Sequence, residues 1–155
     1  GSEDIILSDD KFKCQESYII KAGIYDGEYE DYTKKLKKDL KVKMVKTNFN
    51  LQADFTNPIV KKEEISPKLI ITKSGNMLLD FGQNMVGFVK IKKKLAKGQR
   101  IRLTFGEVLQ DGEFFNDNYR SANPVYEIIA DGKKEEYFPR FSFMGSKGKF
   151  LRCTN

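Results

Sequence analysis

Short runs of apolar, β-branched and aromatic residues recur along the whole chain, and turns rich in glycine separate them. This pattern of short apolar runs between turns predicts many short β-strands and very little helix. A glycine in each turn permits positive φ at little steric cost. Such turns are predicted at residues 73–75, 96–98, 110–113 and 131–132.

The clearest single strand covers residues 100–105, where apolar and polar side chains alternate strictly. Successive side chains of a strand point to opposite faces of the sheet. We therefore expect one face of this strand to meet a core, through Ile101, Leu103 and Phe105. The other face is expected to meet solvent, through Arg100, Arg102 and Thr104.

Ten strands are predicted from these patterns: 5–7, 17–22, 40–45, 68–72, 76–81, 87–93, 100–109, 125–130, 137–143 and 149–153. A short helix is predicted only within 33–40, where Leu36 and Leu40 are four residues apart. Helices are too few to cover a parallel sheet, so the chain is predicted to be all-β, a two-layer antiparallel β-sandwich of the jelly-roll kind.

The net charge of +6 arises from 28 Lys and Arg against 22 Asp and Glu. Half of the positive charge lies in two stretches, 33–46 and 90–102, which carry seven cations each. Because both stretches partly alternate with apolar residues, we interpret them as solvated strand faces, on which lysine also discourages edge pairing. Lysine far outnumbers arginine, whereas specific base contacts favour arginine, so no nucleic-acid partner is expected.

The titratable residues offer little catalytic or metal-binding chemistry. The chain has no His, which excludes a Ser-His-Asp triad, and Cys14 and Cys153 lack metal-ligand spacing. We expect no cofactor, no metal site and no catalytic residue. The nearest carboxylates are interpreted as turn or strand-end residues: Glu107, Asp111, Glu113 and Asp117.

No apolar run approaches the ~20 residues of a membrane span, so no membrane partner is expected. The first residues lack the basic and apolar regions of a signal peptide, and Gly1-Ser2 is interpreted as a cloning remnant. If the chain is a piece of a longer protein, the absence of a signal peptide here does not indicate the compartment of that protein.

One stretch has a more distinctive sequence than the rest, namely Leu79-Asp-Phe-Gly-Gln-Asn-Met-Val-Gly-Phe-Val-Lys-Ile-Lys92. It resembles the concanavalin-like β-sandwich domain that precedes the catalytic barrel in bacterial α-L-rhamnosidases. Further blocks similar to that family occur along the chain in the family's order. Upstream lies Gly23-Ile-Tyr-Asp-Gly-Glu28, and downstream lie Phe105-Gly-Glu-Val-Leu109, Asn118-Tyr-Arg-Ser-Ala122 and Tyr137-Phe-Pro-Arg-Phe141.

The resemblance implies an inverting glycoside hydrolase whose acid and base carboxylates sit in an α/α barrel that follows this domain. Nothing after Phe141 offers that barrel. The expected division is a remnant at 1–2, closing strands of an N-terminal β-sandwich at 3–32, a linker or edge strand at 33–55, and the concanavalin-like domain at 56–155. The expected partners are the missing barrel and rhamnose-containing glycans.

The segment 112–123 is dense in amides and aromatics and is the best candidate for contact with a sugar or another domain. Three interpretations of this segment stay open: it is a loop that completes the core, an interface with the barrel, or a direct contact with sugar. The candidate contact residues here are Phe115, Asn116, Asn118, Tyr119 and Arg120.

Gln83 and Asn84 lie between Gly82 and Gly87 and are the second candidate pair. The glycines permit a bulge or tight bend at a sheet corner, while the two amides would satisfy backbone groups of a neighbouring domain. The Asp26-Gly27-Glu28 sequence is interpreted as a tight turn between strands rather than a calcium or sugar site.

The chain departs from the family pattern at Asn123-Pro124-Val125 and at Gly145-Ser-Lys-Gly-Lys-Phe150. These departures leave the specific sugar open. We expect a non-catalytic domain that supports the barrel and helps to shape its substrate groove. The alternatives are an independent carbohydrate-binding module and, third, a basic nucleic-acid-binding sandwich whose affinity falls steeply with salt.

Overall fold

The computed structural model describes residues 9–50, 52–143 and 150–154. Their only helical element is a 3-10 turn at Asp117–Tyr119, and none of these residues forms a helix long enough to cross a membrane. The strands are β1 (Ile19–Gly23), β2 (Gly27–Asp31), β3 (Lys68–Ile71), β4 (Met77–Asp80), β5 (Ile91–Lys92), β6 (Arg100–Gly106), β7 (Val108–Gln110), β8 (Glu113–Phe115), β9 (Val125–Ile129), β10 (Glu136–Tyr137) and β11 (Phe150–Thr154).

Seven strands form one sheet in the order β1-β2-β9-β6-β11-β4-β3. The predicted all-β class is confirmed. One pairing differs from the antiparallel expectation, because β2 and β9 run parallel, with Glu28 opposite Tyr126 and Asp31 opposite Ile129. The hairpin β1–β2 arrives from far upstream in the chain, so its direction is not fixed by a tight turn to β9.

One face of this sheet carries the hydrophobic core. Its fully buried side chains come from neighbouring strands and include Leu103, Tyr126, Ile128 and Leu151. A second layer covers them, made by the short β5–β10 ladder and the segments around it, which contribute Leu95, Ile91 and Tyr137. The core thus lies between two layers of very unequal size.

The opposite face of the sheet is covered at one end by the β7–β8 hairpin. A Cβ added at Gly106 would lie 2.6 Å from the ring of Phe114, so that ring packs directly on the end of β6. Ile101, Leu103 and Phe105 are buried as predicted. The prediction for Thr104 is wrong: it is 6% exposed, because both faces of β6 are covered near its end.

Several predicted strands differ in extent from the observed ones. The run 100–109 is interrupted at Glu107 between β6 and β7. Of the run 87–93, only Ile91–Lys92 forms a strand, with a single bridge at Gly87, and Glu136–Tyr137 is the strand found around 137–143. The strands β2 and β8 were not predicted. The predicted strand 5–7 and the start of 149–153 lie outside the described residues.

The chain divides into two compact units, one of Gly1–Ser17 with Lys35–Glu64 and one of Tyr18–Lys34 with Ile65–Asn155. The sheet belongs to the second unit. The predicted domain boundary between Tyr32 and Thr56 stays a prediction.

The first unit contains little regular structure among its described residues. Cys14 and Leu40 form an isolated bridge, in which the Leu40 amide donates to the Cys14 carbonyl at 2.9 Å. The predicted strand 40–45 and the predicted helix within 33–40 are both wrong. The seven lysines of 33–46 are exposed, in agreement with the solvated interpretation of this stretch.

Candidate functional site

The registers of four strands bring several loops to one end of the sheet. Asp80, the last residue of β4, and Gly106, the last of β6, are both paired with Phe150, the first of β11. Val125, the first residue of β9, is paired with Thr104. The loops 81–90 and 107–124 therefore leave the same end of the sheet, which we call the loop end.

The turn between β1 and β2 also belongs to the loop end. Glu28, near the start of β2, is opposite Tyr126, near the start of β9. The amide of Asn123 donates to the carbonyl of Tyr25 at 2.8 Å, which ties the turn 24–26 to the segment before β9. The interpretation of Asp26-Gly27-Glu28 as a tight turn between strands is correct for Asp26, which ends the turn, whereas Gly27 and Glu28 are the first residues of β2.

The β7–β8 hairpin sets the positions of the aromatic candidates. Asp111 and Gly112 have φ of 54° and 82°, the left-handed values of a type I′ hairpin turn. Side chains alternate along β8, so Phe114 packs on the sheet, with the Arg152 guanidinium 4.9 Å from its ring centre. Phe115 is paired with Val108, is half-buried, and lies on the other face of the hairpin.

The remaining candidates of this segment lie on the 3-10 turn that follows. The Tyr119 amide donates to the Asn116 carbonyl at 3.2 Å, and the Arg120 amide donates to the Asp117 carbonyl at 3.4 Å. Asn118 and Arg120 are exposed, whereas Asn116 and Tyr119 are half-buried. Phe115 thus ends β8, and Asn116, Asn118, Tyr119 and Arg120 lie on or beside the 3-10 turn that follows directly.

Gln83 and Asn84 are exposed on the loop after β4, where the Gly82 amide donates to the Asp80 side chain at 2.7 Å. They share the loop end with the turn 116–120 through the strand registers. Whether these seven candidates contact a sugar or another domain stays a prediction.

The carboxylates of the loop end and its hairpin act as local acceptors. Asn118 Nδ2 donates to Glu107 Oε2 at 3.2 Å. Glu113 accepts from the Ser74 amide at 2.9 Å and from the Ser74 hydroxyl at 2.6 Å, and these bonds lower its pKa to about 2. A general acid needs a raised pKa, so Glu113 is a poor candidate for that role.

We expect replacement of Glu107 by glutamine to lower the pKa of Tyr119. Partial burial and, as the smaller cause, the nearby Glu107 charge together raise this pKa to about 12. A pH titration of the Tyr119 ring by NMR measures the change. An unchanged midpoint in the Glu107→Gln variant would show that burial alone sets the value.

Two further residues of interest were missed from the sequence, namely Glu28 and Glu30 of β2. Their side chains share the core face of the sheet and are 0% and 2% exposed. Glu28 accepts from the amides of Arg140 at 2.9 Å and Phe141 at 2.8 Å. In a strand, Glu28 and Glu30 point to the same face, so the sequence could have shown that they lie together. Because carboxylates are usually exposed, that face was expected to meet solvent rather than a core.

Glu30 lies at the centre of a tyrosine cluster. The hydroxyls of Tyr32 and Tyr126 each donate to Glu30 Oε2 at 2.8 Å. Burial is the largest cause that raises the pKa values of both tyrosines, and the Glu30 charge adds to it. The ring of Tyr18 stacks on Tyr32 at 4.3 Å, which extends the cluster to the start of β1.

The sheet, its thin second layer and the loop end define an all-β domain of the concanavalin-like class. The sequence profile described as bacterial alpha-L-rhamnosidase concanavalin-like domain matches residues 70–148. The chain belongs to this family.

Individual relatives agree with the family profile. An alpha-L-rhamnosidase of Formosa agariphila is 32% identical over 94% of this chain and 17% of its own length. The alpha-L-rhamnosidase structure from Dictyoglumus thermophilum has a TM-score of 0.80 at 26% identity, over 97% of this chain and 18% of that one. The Streptomyces avermitilis enzyme, solved in complex with L-rhamnose, has a TM-score of 0.70 at 26% identity, over 89% and 15%. The chain spans less than a fifth of the length of each of these relatives.

Proposed function

We propose that this chain is a non-catalytic β-domain of a longer α-L-rhamnosidase-like glycoside hydrolase, and that it supports the catalytic α/α barrel and helps to shape the substrate groove. The α-L-rhamnosidase relatives, which are five to six times longer, support a parent protein with further domains.

The observation that carries the proposal is the composition of the loop end. It presents exposed hydrogen-bonding side chains on two separate loops, namely Gln83 and Asn84 on one and Asn118 and Arg120 on the other. Such groups suit a polar interface within a chain, which resembles a transient protein–protein interface. The loop-end carboxylate Glu107 is bonded to an amide rather than paired with a second carboxylate, which favours support over catalysis.

The first test concerns the parent protein. We expect the full-length protein to hydrolyse an aryl α-L-rhamnoside, and the double variant Asn118→Ala Arg120→Ala to lower kcat/KM about tenfold, equivalent to ~1.4 kcal/mol, through lost positioning of the barrel. Lys62→Ala is the matched control, because this exposed residue lies in the first compact unit. A parent protein without rhamnosidase activity, or a double variant equal to the control, would contradict the proposal.

A second test separates support from independent sugar binding. Titration of the chain with L-rhamnose and rhamnose-containing oligosaccharides by calorimetry is expected to show no saturable binding. Saturable binding that is lost in Tyr119→Ala but kept in Phe49→Ala would instead identify a carbohydrate-binding module. Phe49 is the suitable control because it is an aromatic residue of the first compact unit and is 80% exposed.

A further inference from the structure

The two buried glutamates of β2 are two residues apart and therefore share the core face of the strand, and their hydrogen-bond partners differ in kind. Glu28 is held by backbone amides of the segment 140–142, with the Ser142 hydroxyl donating from 3.4 Å. Both tyrosine hydroxyls donate to a single oxygen of Glu30, Oε2. The other oxygen, Oε1, is buried and has no partner among the described residues.

An ionised carboxylate accepts hydrogen bonds on both oxygens, and an unpaired buried oxygen is costly. A protonated carboxyl solves this problem when another acceptor lies beside it, because the acid proton then donates. The carboxylate of Glu28 is that neighbouring acceptor. Two buried carboxylates in one site cannot both ionise without strong repulsion.

We propose that Glu28 and Glu30 share one proton, and that its loss to solvent loosens the segment 140–142 from β2. The pair thus forms a pH-sensitive contact between β2 of the large sheet and the segment 140–142, which follows β10. The shared proton bridges Glu30 Oε1 and the Glu28 carboxylate, while the Glu28 oxygens keep the amides of Arg140 and Phe141.

Among the residues that the structure describes, the groups that contact the pair give no compensating positive charge. Glu30 meets Tyr126 from β9 and Tyr32 from the end of β2, and both are neutral donors. The cation Lys134 lies over the rings of the cluster, 4.7 Å from the centre of Tyr32, rather than in a described ion pair with Glu30. From the segment 140–142, Glu28 receives only backbone amides and a hydroxyl.

The electrostatics agree with this geometry. The pKa of Glu30 is raised from 4.5 to about 7: burial is the main cause, the two tyrosine hydroxyls lower it, and Glu28 raises it. The folded chain therefore holds a proton that the unfolded chain releases at lower pH. The stabilisation is complete below the unfolded pKa and is lost as the pH rises to about 7.

The experiment is amide hydrogen exchange at Arg140 and Phe141, corrected for the pH dependence of intrinsic exchange. In the wild-type chain we expect protection of these two amides to fall at least about tenfold between about pH 5 and about pH 8. In Glu30→Gln we expect no such fall, because the neutral amide replaces the acid and donates to Glu28. Glu136→Gln is the matched control and should behave as the wild type, since Glu136 is exposed on β10.

Constant protection in the wild type would overturn the proposal, and so would a fall that persists in Glu30→Gln. If Glu30→Gln does not fold, the carboxyl carbon of Glu30 is followed by NMR in the wild-type chain. A midpoint near pH 7 supports the shared proton, whereas a midpoint near the ordinary value of 4.5 overturns it.

Discussion

Replacing Gly27 with alanine is expected to destabilise the chain by about 3 kcal/mol or more, or to prevent folding. Gly27 has φ of +76°, and a Cβ there would lie 1.8 Å from the Val125 carbonyl oxygen and 2.6 Å from the Val125 nitrogen. Both atoms are backbone, so relief requires β2 to move away from β9. Chemical denaturation measures the loss as a change in the free energy of unfolding.

Gly75→Ala is the matched control for Gly27→Ala. Gly75 also has positive φ, +85°, but an added Cβ meets nothing within 4 Å. Only the backbone conformation is then strained, which costs about 1 kcal/mol. Equal losses in the two variants would show that the close approach of β2 and β9 has little energetic weight.

Glu28→Ala is expected to cost about 3 kcal/mol, because it leaves the amides of Arg140 and Phe141 without their acceptor inside the protein. Glu28→Gln keeps one acceptor oxygen and should lose about half as much. The free energy of unfolding is measured at a mildly acidic pH, where Glu30 holds its proton.

Glu136→Ala serves as the control for the Glu28 variants. Its side chain is 52% exposed and is paired with Lys90 at 3.5 Å, so its loss should change stability by no more than about 0.5 kcal/mol. A similar change in Glu28→Ala would mean that water replaces the carboxylate at no cost. The segment 140–142 would then not depend on β2.

The local pattern of the sequence was sufficient for the strands in the middle of the sheet. The alternation in 100–105 correctly placed Ile101, Leu103 and Phe105 in the core, and the glycine turn at 73–75 correctly separated β3 from β4. The turn at 110–113 was also correct, although the strand β8 after it was not predicted. Such patterns report which residues share a face, and burial on one face is enough to fix them.

Pairing partners were beyond the sequence pattern, because they depend on distant residues. The run 40–45 also alternates, as far as Met44, yet only Leu40 is bridged, and its partner is Cys14. The opposite error concerns β2, where two glutamates masked a buried strand. Glu28 accepts from the amides of Arg140 and Phe141, more than 110 residues away, and Glu30 accepts from the hydroxyls of Tyr32 and Tyr126.

For the candidate site, the sequence singled out segments whose role stays a prediction, and it did not give the geometry that unites them. The resemblance drew attention to Gln83, Asn84 and the turn 116–120, which lie on different loops. That these loops leave one end of the sheet follows from the shared pairing of Asp80 and Gly106 with Phe150, which is a tertiary property.

The parallel pairing of β2 with β9 also sets an order of events during synthesis. Glu28 leaves the ribosome long before its partner Tyr126 exists, so the β1–β2 hairpin must wait with one edge open until β9 is made. An exposed strand edge invites pairing with other chains, and β2 offers its neighbours polar residues rather than an apolar strip. The glutamates that later close the core thus also keep the unfinished chain from associating.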